Sequence, residues 1–251
     1  MSVIKYFSVL IALLCLANPV LAQADSIPSR YSGKEETLSA VNFIVPSALI
    51  AYGAIAKNSD NLLKFDRNID DAVQKNIHRQ YRLDDYIPYA PYAAIYGLDL
   101  CGIGAQHGWL DRTLLIGTSL LLTTGGVDAV KRVTHITRPD NSDDYSFPSG
   151  HTARAFVGAH ILFKEYRNVS PYIGVAGYGI AFTTGALRIV NRRHWFSDVV
   201  TGAGVGILSA ELSYLLLPVW HKVFKMPSEQ RLAIVPFVQQ NTAGIGGMWV
   251  F

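Results

Sequence analysis

Apolar stretches alternate along the chain with short, densely charged connections. Thr113–Val127 and Ser170–Leu187 carry no charged residue, and Val199–Trp220 carries only Glu211. Each approaches the roughly 17–25 residues that a membrane-spanning helix needs. Thr152–Phe163 is a further helical stretch. Val41–Ala56 is shorter and contains Pro46, so it is expected to lie at the membrane interface rather than to cross. In Tyr86–Gly108, Tyr86, Tyr89, Tyr92 and Tyr96 recur every three or four residues, as on one helix face near an interface or, more commonly, in a packing stripe. Strand-like alternation is sustained only in Leu232–Phe251. The pattern predicts an all-α, multi-helix membrane-embedded bundle with a short extended C-terminal tail.

Residues 1–24 have the form of a secretory signal: Lys5 in a basic start, an apolar run Phe7–Ala17, and Ala22-Gln23-Ala24 as a small-x-small cleavage site. An uncleaved first helix fits the same stretch. Residues 25–85 are expected to be an exposed or interfacial segment. Within it, acids and bases alternate from Lys57 to Asp85, as on a solvated amphipathic helix or a plain surface segment. Residues 86–225 then form the helical catalytic region and 226–251 the tail.

Composition sharpens this picture. Half the residues are hydrophobic and 16% are charged, against about a quarter in soluble domains. The net charge of +3 is small, and no basic run could track a nucleic-acid backbone, so nucleic acid is set aside. The two cysteines, Cys15 and Cys101, cannot make a zinc site. Removal of the signal leaves Cys101 alone, without an intramolecular disulfide.

Three short segments hold nearly all the reactive side chains. Lys131 and Arg138 lie seven residues apart after the first charge-free stretch, so a continuing helix would aim both cations to one side as an anion clamp. In Ser146-Phe147-Pro148-Ser149-Gly150-His151-Thr152, Pro148 and Gly150 shape a turn, Ser149 supplies a hydroxyl, and the N–H groups from Gly150 onward open a helix N-terminus suited to phosphate. His151 is then placed to protonate a leaving oxygen. In Arg188-Ile189-Val190-Asn191-Arg192-Arg193-His194-Trp195-Phe196-Ser197-Asp198, the four-residue spacing from His194 to Asp198 lets one helical turn join them. The carboxylate would hold the imidazole in one tautomer, fit to attack phosphorus.

These segments resemble the three-part signature of the type-2 phosphatidic acid phosphatase superfamily: Lys, six residues, Arg-Pro; then Pro-Ser-Gly-His; then Ser-Arg, five residues, His, three residues, Asp. Lys131, Arg138 and Pro139 match the first part, Pro148–His151 the second, and Arg188, His194 and Asp198 the third, over about residues 112–217. Leu187 stands where the family usually has Ser. The resemblance implies a metal-independent, cofactor-free phosphatase. His194 would be its nucleophile, Asp198 its orienting acid and His151 its proton donor. Lys131, Arg138, Arg188, Ser149 and the Gly150 N–H would bind the phosphate.

Other ionisable residues are weaker candidates. His135 and His160 read as structural, while Asp99 and Glu211 lie within apolar stretches as functional acids or partners of a neighbouring helix. Asn191, Arg192 and Arg193 are placed to meet a lipid headgroup. The favoured function is a lipid phosphatase at the periplasmic face of a bacterial inner membrane, acting on lipid A, undecaprenyl diphosphate or phosphatidylglycerol phosphate, with no obligate protein partner inferred. The alternatives are a soluble periplasmic acid phosphatase of the same superfamily and a scaffold that binds phosphate without turnover.

Overall fold

The computed structural model describes residues 39–77 and 82–225 in full and residues 231–239 and 242–250 as backbone. The signal-like residues 1–24, most of the lead-in and Arg79 lie outside the described residues. The apolar stretches become helices: α1 (Val41–Ala56), α2 (Asp60–Asn76), α3 (Ala90–Leu100), α4 (Trp109–Thr134), α5 (Gly150–Tyr166), α6 (Pro171–Val190) and α7 (Phe196–Phe224). Two 3-10 turns, Arg82–Asp85 and Ile87–Tyr89, lead into α3. By length and hydropathy α4, α6 and α7 can cross a membrane. Their outward side chains are apolar: Leu121, Tyr172, Val175 and Phe182 are all exposed, as lipid-facing positions require.

α5 is the axis of the bundle. Only Gly150, His151, Arg154 and Phe163 of this helix escape burial. Its neighbours approach closely through small residues. A Cβ on Gly202 of α7 would lie 2.5 Å from the Ser149 carbonyl oxygen, and one on Gly206 would collide with the Ala153 carbonyl. The polar side chains that α5 buries are all partnered, as a low-dielectric interior demands. His160 sits between the Tyr178 hydroxyl at 2.6 Å and Glu211 at 2.7 Å. Lys164 donates to Glu211 at 2.9 Å. Glu165 accepts from the Tyr214 hydroxyl at 2.8 Å and lies 2.8 Å from the His107 ring nitrogen. Asp99 pairs with Arg112 at 2.5 Å. These partners account structurally for His160, Asp99 and Glu211, while His135 closes α4 in a left-handed conformation against the Tyr145 ring.

The packing corrects two expectations and adds detail to two others. α1, which is shorter than the helices able to cross a membrane, runs antiparallel to α7, with the Pro46 carbonyl against Gly204 and Gly53 against Thr201. The contact is intimate because glycines on both helices remove the side chains that would hold them apart. The tyrosine stripe is not one helix face. Tyr86, between the two 3-10 turns, and Tyr89, in the second, are exposed, whereas Tyr92 donates to the Arg154 carbonyl at 2.5 Å from within α3. Residues 57–85 are not a plain surface segment, since Asp66, Asp70 and Asp84 are buried. The extended tail is a two-stranded antiparallel hairpin, β1 (Arg231–Gln239) with β2 (Thr242–Val250), in register from Arg231 opposite Val250 to Gln239 opposite Thr242.

The close approach of α5 and α7 is directly testable. Gly206→Val inserts a branched side chain against the Ala153 carbonyl and is expected to cost about 1–3 kcal/mol, the usual penalty of overpacking. It would be read as a lowered Tm in detergent, and an unchanged Tm would mean that the helices do not meet there.

Candidate active site

α4 and α6 end where α5 and α7 begin, so one end of the bundle gathers two helix C-termini and two N-termini. A cavity of about 430 Å³ opens there, lined by Lys131, Arg138, Gly150, His151, Arg188 and His194. The three segments separated in sequence are thus brought to one place. Asp198 lies just behind the lining, fully buried.

The local routes differ from the sequence reading in instructive ways. α4 ends at Thr134, so Arg138 does not stand two helical turns above Lys131. It comes from the following loop, where its Nε donates to Asp143 at 2.6 Å and a guanidinium N–H donates to the Arg193 carbonyl at 3.3 Å. Lys131 is anchored on the Tyr145 carbonyl at 2.5 Å. Of the expected phosphate-binding residues, Ser149 is the one that the cavity lining does not include. Its buried hydroxyl caps α5, 2.9 Å from the Thr152 hydroxyl and 3.5 Å from the Thr152 N–H, which leaves the Gly150 backbone to face the cavity.

His194 sits in the turn between α6 and α7, outside either helix. Its Nδ1 is 2.7 Å from the Ser146 carbonyl oxygen and 3.7 Å from Asp198. A carbonyl can only accept, so the hydrogen resides on Nδ1 and the lone pair on Nε2 is available. The direct orienting partner is therefore Ser146, with Asp198 behind it. Asp198 fixes both flanks of the histidine, accepting from the Ser146 hydroxyl at 2.5 Å and from the Trp195 N–H at 2.9 Å. Burial pushes the His194 pKa down to about 4 despite the opposing pull of Asp198, which keeps the imidazole neutral and nucleophilic near pH 7. His151 faces the cavity from the first turn of α5, with Asp85 3.6 Å from its Nε2. Burial, then Arg188 and Arg154, holds its pKa at about 3.

Residues 57–85 supply what the motifs lack. Lys57 at the end of α1 reaches Asp198 at 2.7 Å. Asp66 accepts from the Ser197 N–H at 3.0 Å and the Ser197 hydroxyl at 2.5 Å. Asp70 takes Arg192 in a two-point pair at 2.8 and 3.0 Å. Asp84 meets Arg188 at 2.7 Å. Sequence reasoning missed all four because alternating charge looks like a solvated face. One signal was present: Asp66 and Asp70 are four apart and share one helix face. Of the three residues preceding His194, Arg192 is committed to Asp70, Arg193 pairs with Asp140 at 3.0 Å and lines the cavity, and Asn191 is buried.

The Asp84–Arg188 pair leads to a prediction. Asp84→Ala leaves a buried guanidinium without its carboxylate, a change that costs about 3–5 kcal/mol in buried pairs. A phosphate ion in the cavity would refill the site, so the Tm lost in the variant should recover with millimolar phosphate. A loss that phosphate does not touch would separate Arg188 from anion binding.

Comparison with known proteins finds a family model that matches part of the chain. Residues 112–222 match the model of the PAP2 superfamily. Over 111 residues, 44% of the chain, the sequence is 45% identical to a lipid A 1-phosphatase of Porphyromonas gingivalis, of which the match spans a quarter. Two solved structures are similar at a TM-score of 0.43. One is LpxE of Aquifex aeolicus, 24% identical over 60% of this chain and 93% of that one. The other is a transmembrane PAP2-type phosphatidylglycerolphosphate phosphatase of Bacillus subtilis, 20% identical over 73% of this chain and 98% of that one.

Proposed function

We propose, from the match of residues 112–222 to the model of the PAP2 superfamily, that this chain is a metal-independent phosphatase of a phosphorylated envelope lipid, working through a phosphohistidine at His194. The observation that carries the reading is the juxtaposition, in one cation-lined cavity, of a neutral His194 with its Nε2 lone pair available and a second histidine, His151.

In the proposed reaction, Lys131, Arg138, Arg188 and the Gly150 N–H hold the phosphate oxygens and neutralise charge as it develops. His194 Nε2 attacks phosphorus while Ser146 and Asp198 hold the ring and stabilise its positive charge. His151 serves the leaving oxygen, then takes a proton from the water that hydrolyses the phosphohistidine. The apolar outer faces of α4, α6 and α7 support a membrane-resident substrate. Lipid A, undecaprenyl diphosphate and phosphatidylglycerol phosphate are the compounds to test, lipid A first because of the relative's activity.

The test is phosphate release by detergent-purified protein in EDTA from these three lipids and from p-nitrophenyl phosphate. Turnover of a lipid is expected, and His194→Ala should reduce it by about 10⁴-fold or more, as removal of a nucleophile does, with Tm retained. Activity confined to p-nitrophenyl phosphate would favour a soluble-type acid phosphatase. Full activity in the variant, or none in EDTA, would sink the histidine mechanism.

The site is proposed to face the periplasm of the inner membrane, a reading supported by the secretory-type start at residues 1–24. In a chain otherwise free of cysteine, Ser142→Cys in the exposed loop beside the site should react with a membrane-impermeant maleimide in outer-membrane-permeabilised cells. Reaction only after lysis would place the site on the cytoplasmic side.

A further inference from the structure

Outside the three motifs, one cation is built into the support of the site. Lys57 closes α1 as its C-cap, and its backbone N–H donates to the Gly53 carbonyl at 3.2 Å. Its ammonium lies 2.7 Å from Oδ1 of Asp198, 3.5 Å from Asp66 and 5.4 Å from the centre of the Phe147 ring beside the second motif. Both carboxylates are buried, and the lysine side chain is only 12% exposed. Lys57 does not line the cavity that holds His194. It borders a separate one of about 220 Å³, together with Asp66, Arg67 and Trp195, and among the described residues the two cavities share no lining side chain. Lys57 is thus not one of the groups that meet a phosphate at His194.

The two oxygens of Asp198 have different neighbours. Oδ2 serves the histidine: it accepts from the Ser146 hydroxyl at 2.5 Å and the Trp195 N–H at 2.9 Å, and it lies 3.7 Å from His194 Nδ1. Oδ1 faces Lys57. The donors to Oδ2 are neutral, and so is His194 at rest, its Nδ1 hydrogen directed at the Ser146 carbonyl. In the resting site the full positive charge beside Asp198 is therefore that of Lys57. A carboxylate in so dry a place stays ionised only with a charged partner; without one it takes up a proton. A protonated Asp198 would still make hydrogen bonds. It would no longer offer a negative charge to the imidazole ring, which turns cationic when Nε2 bonds to phosphorus.

We propose that Lys57 is a positioning residue of the reaction: through Oδ1 it keeps Asp198 ionised and in place, so that the carboxylate is charged when the His194 ring becomes cationic. The proposal rests on the phosphatase reading above. Lys57 itself forms and breaks no bond, and it keeps its contact with Asp198 before and after the attack. The same ammonium ties the end of α1 to the first turn of α7, which Asp66 also grips through the Ser197 N–H at 3.0 Å. Its separation from the cavity sets the kinetic signature: Lys57 acts on the transition state through Asp198 and leaves substrate binding alone.

The test is steady-state kinetics of the full-length protein in detergent, on the compound of the panel above that the wild type turns over fastest, with Tm measured alongside. Lys57→Gln keeps a hydrogen-bond donor near Asp198 and removes the charge, so it guards against loss of the fold; Lys57→Met removes both. Each is expected to lose about 10²-fold in kcat, the scale on which a misplaced catalytic group is felt, with KM held within about threefold. Lys57→Arg returns the charge in a different shape and should bring kcat to within about tenfold of wild type. In an Asp198→Asn background the charge that needs Lys57 is gone, and Lys57→Gln should then cost less than about threefold. Wild-type kcat in Lys57→Gln, a loss carried by KM, or an equal loss with and without the Asp198 carboxylate overturns the assignment. So does a Lys57→Arg protein as slow as Lys57→Gln. In each of these outcomes the wild type still turns over, so the phosphatase reading stands. Absence of turnover by the wild type on every compound of the panel removes that reading instead.

Discussion

The site depends on one buried carboxylate. Asp198 is fully inaccessible, and three groups converge on it, two of them from distant parts of the chain: Lys57 from the end of α1, Ser146 from the loop after α4, and the Trp195 N–H at the start of its own helix. A charge in such a place is tolerated only if it is paired and hydrogen-bonded. The requirement works in both directions. The carboxylate needs its partners, and in meeting it they fix the two flanks of His194 and one end of α1.

The same logic extends outward through Asp66, Asp70 and Asp84. Each of these three acids binds a group in or next to the third motif, respectively Ser197, Arg192 and Arg188. The turn that carries His194 passes through a positive φ at Arg192, a conformation that needs outside support. The two-point pair with Asp70 provides it. Cations crowded around one cavity would otherwise repel one another, and these acids hold them at fixed positions.

Polarity is inverted relative to a soluble bundle. The outer surfaces of α4, α6 and α7 are apolar, while the interior around α5 carries the His160–Glu211–Lys164 and His107–Glu165–Tyr214 groups. Small residues allow the helices to close around these polar clusters, as at Gly202 and Gly206 against α5. Close packing and interior hydrogen bonds are the forces that associate helices when lipid removes the hydrophobic drive.

Much was legible in the chain itself. Long charge-free stretches require helices of spanning length, because in hydrocarbon every backbone group must be satisfied within its own segment. The side chains that line the cavity were legible too, since Lys131, Arg138, His151, Arg188 and His194 stand in short local motifs. What only the tertiary structure decided is which partners those groups keep. Ser149 turned into a helix cap, Ser146 took the place beside His194 assigned to Asp198, and Asp84 reached Arg188 across 104 residues. The physical reason is that a motif encodes neighbours along the chain. A buried charge, in contrast, selects its partner by whatever lies within about 3 Å once the helices have packed.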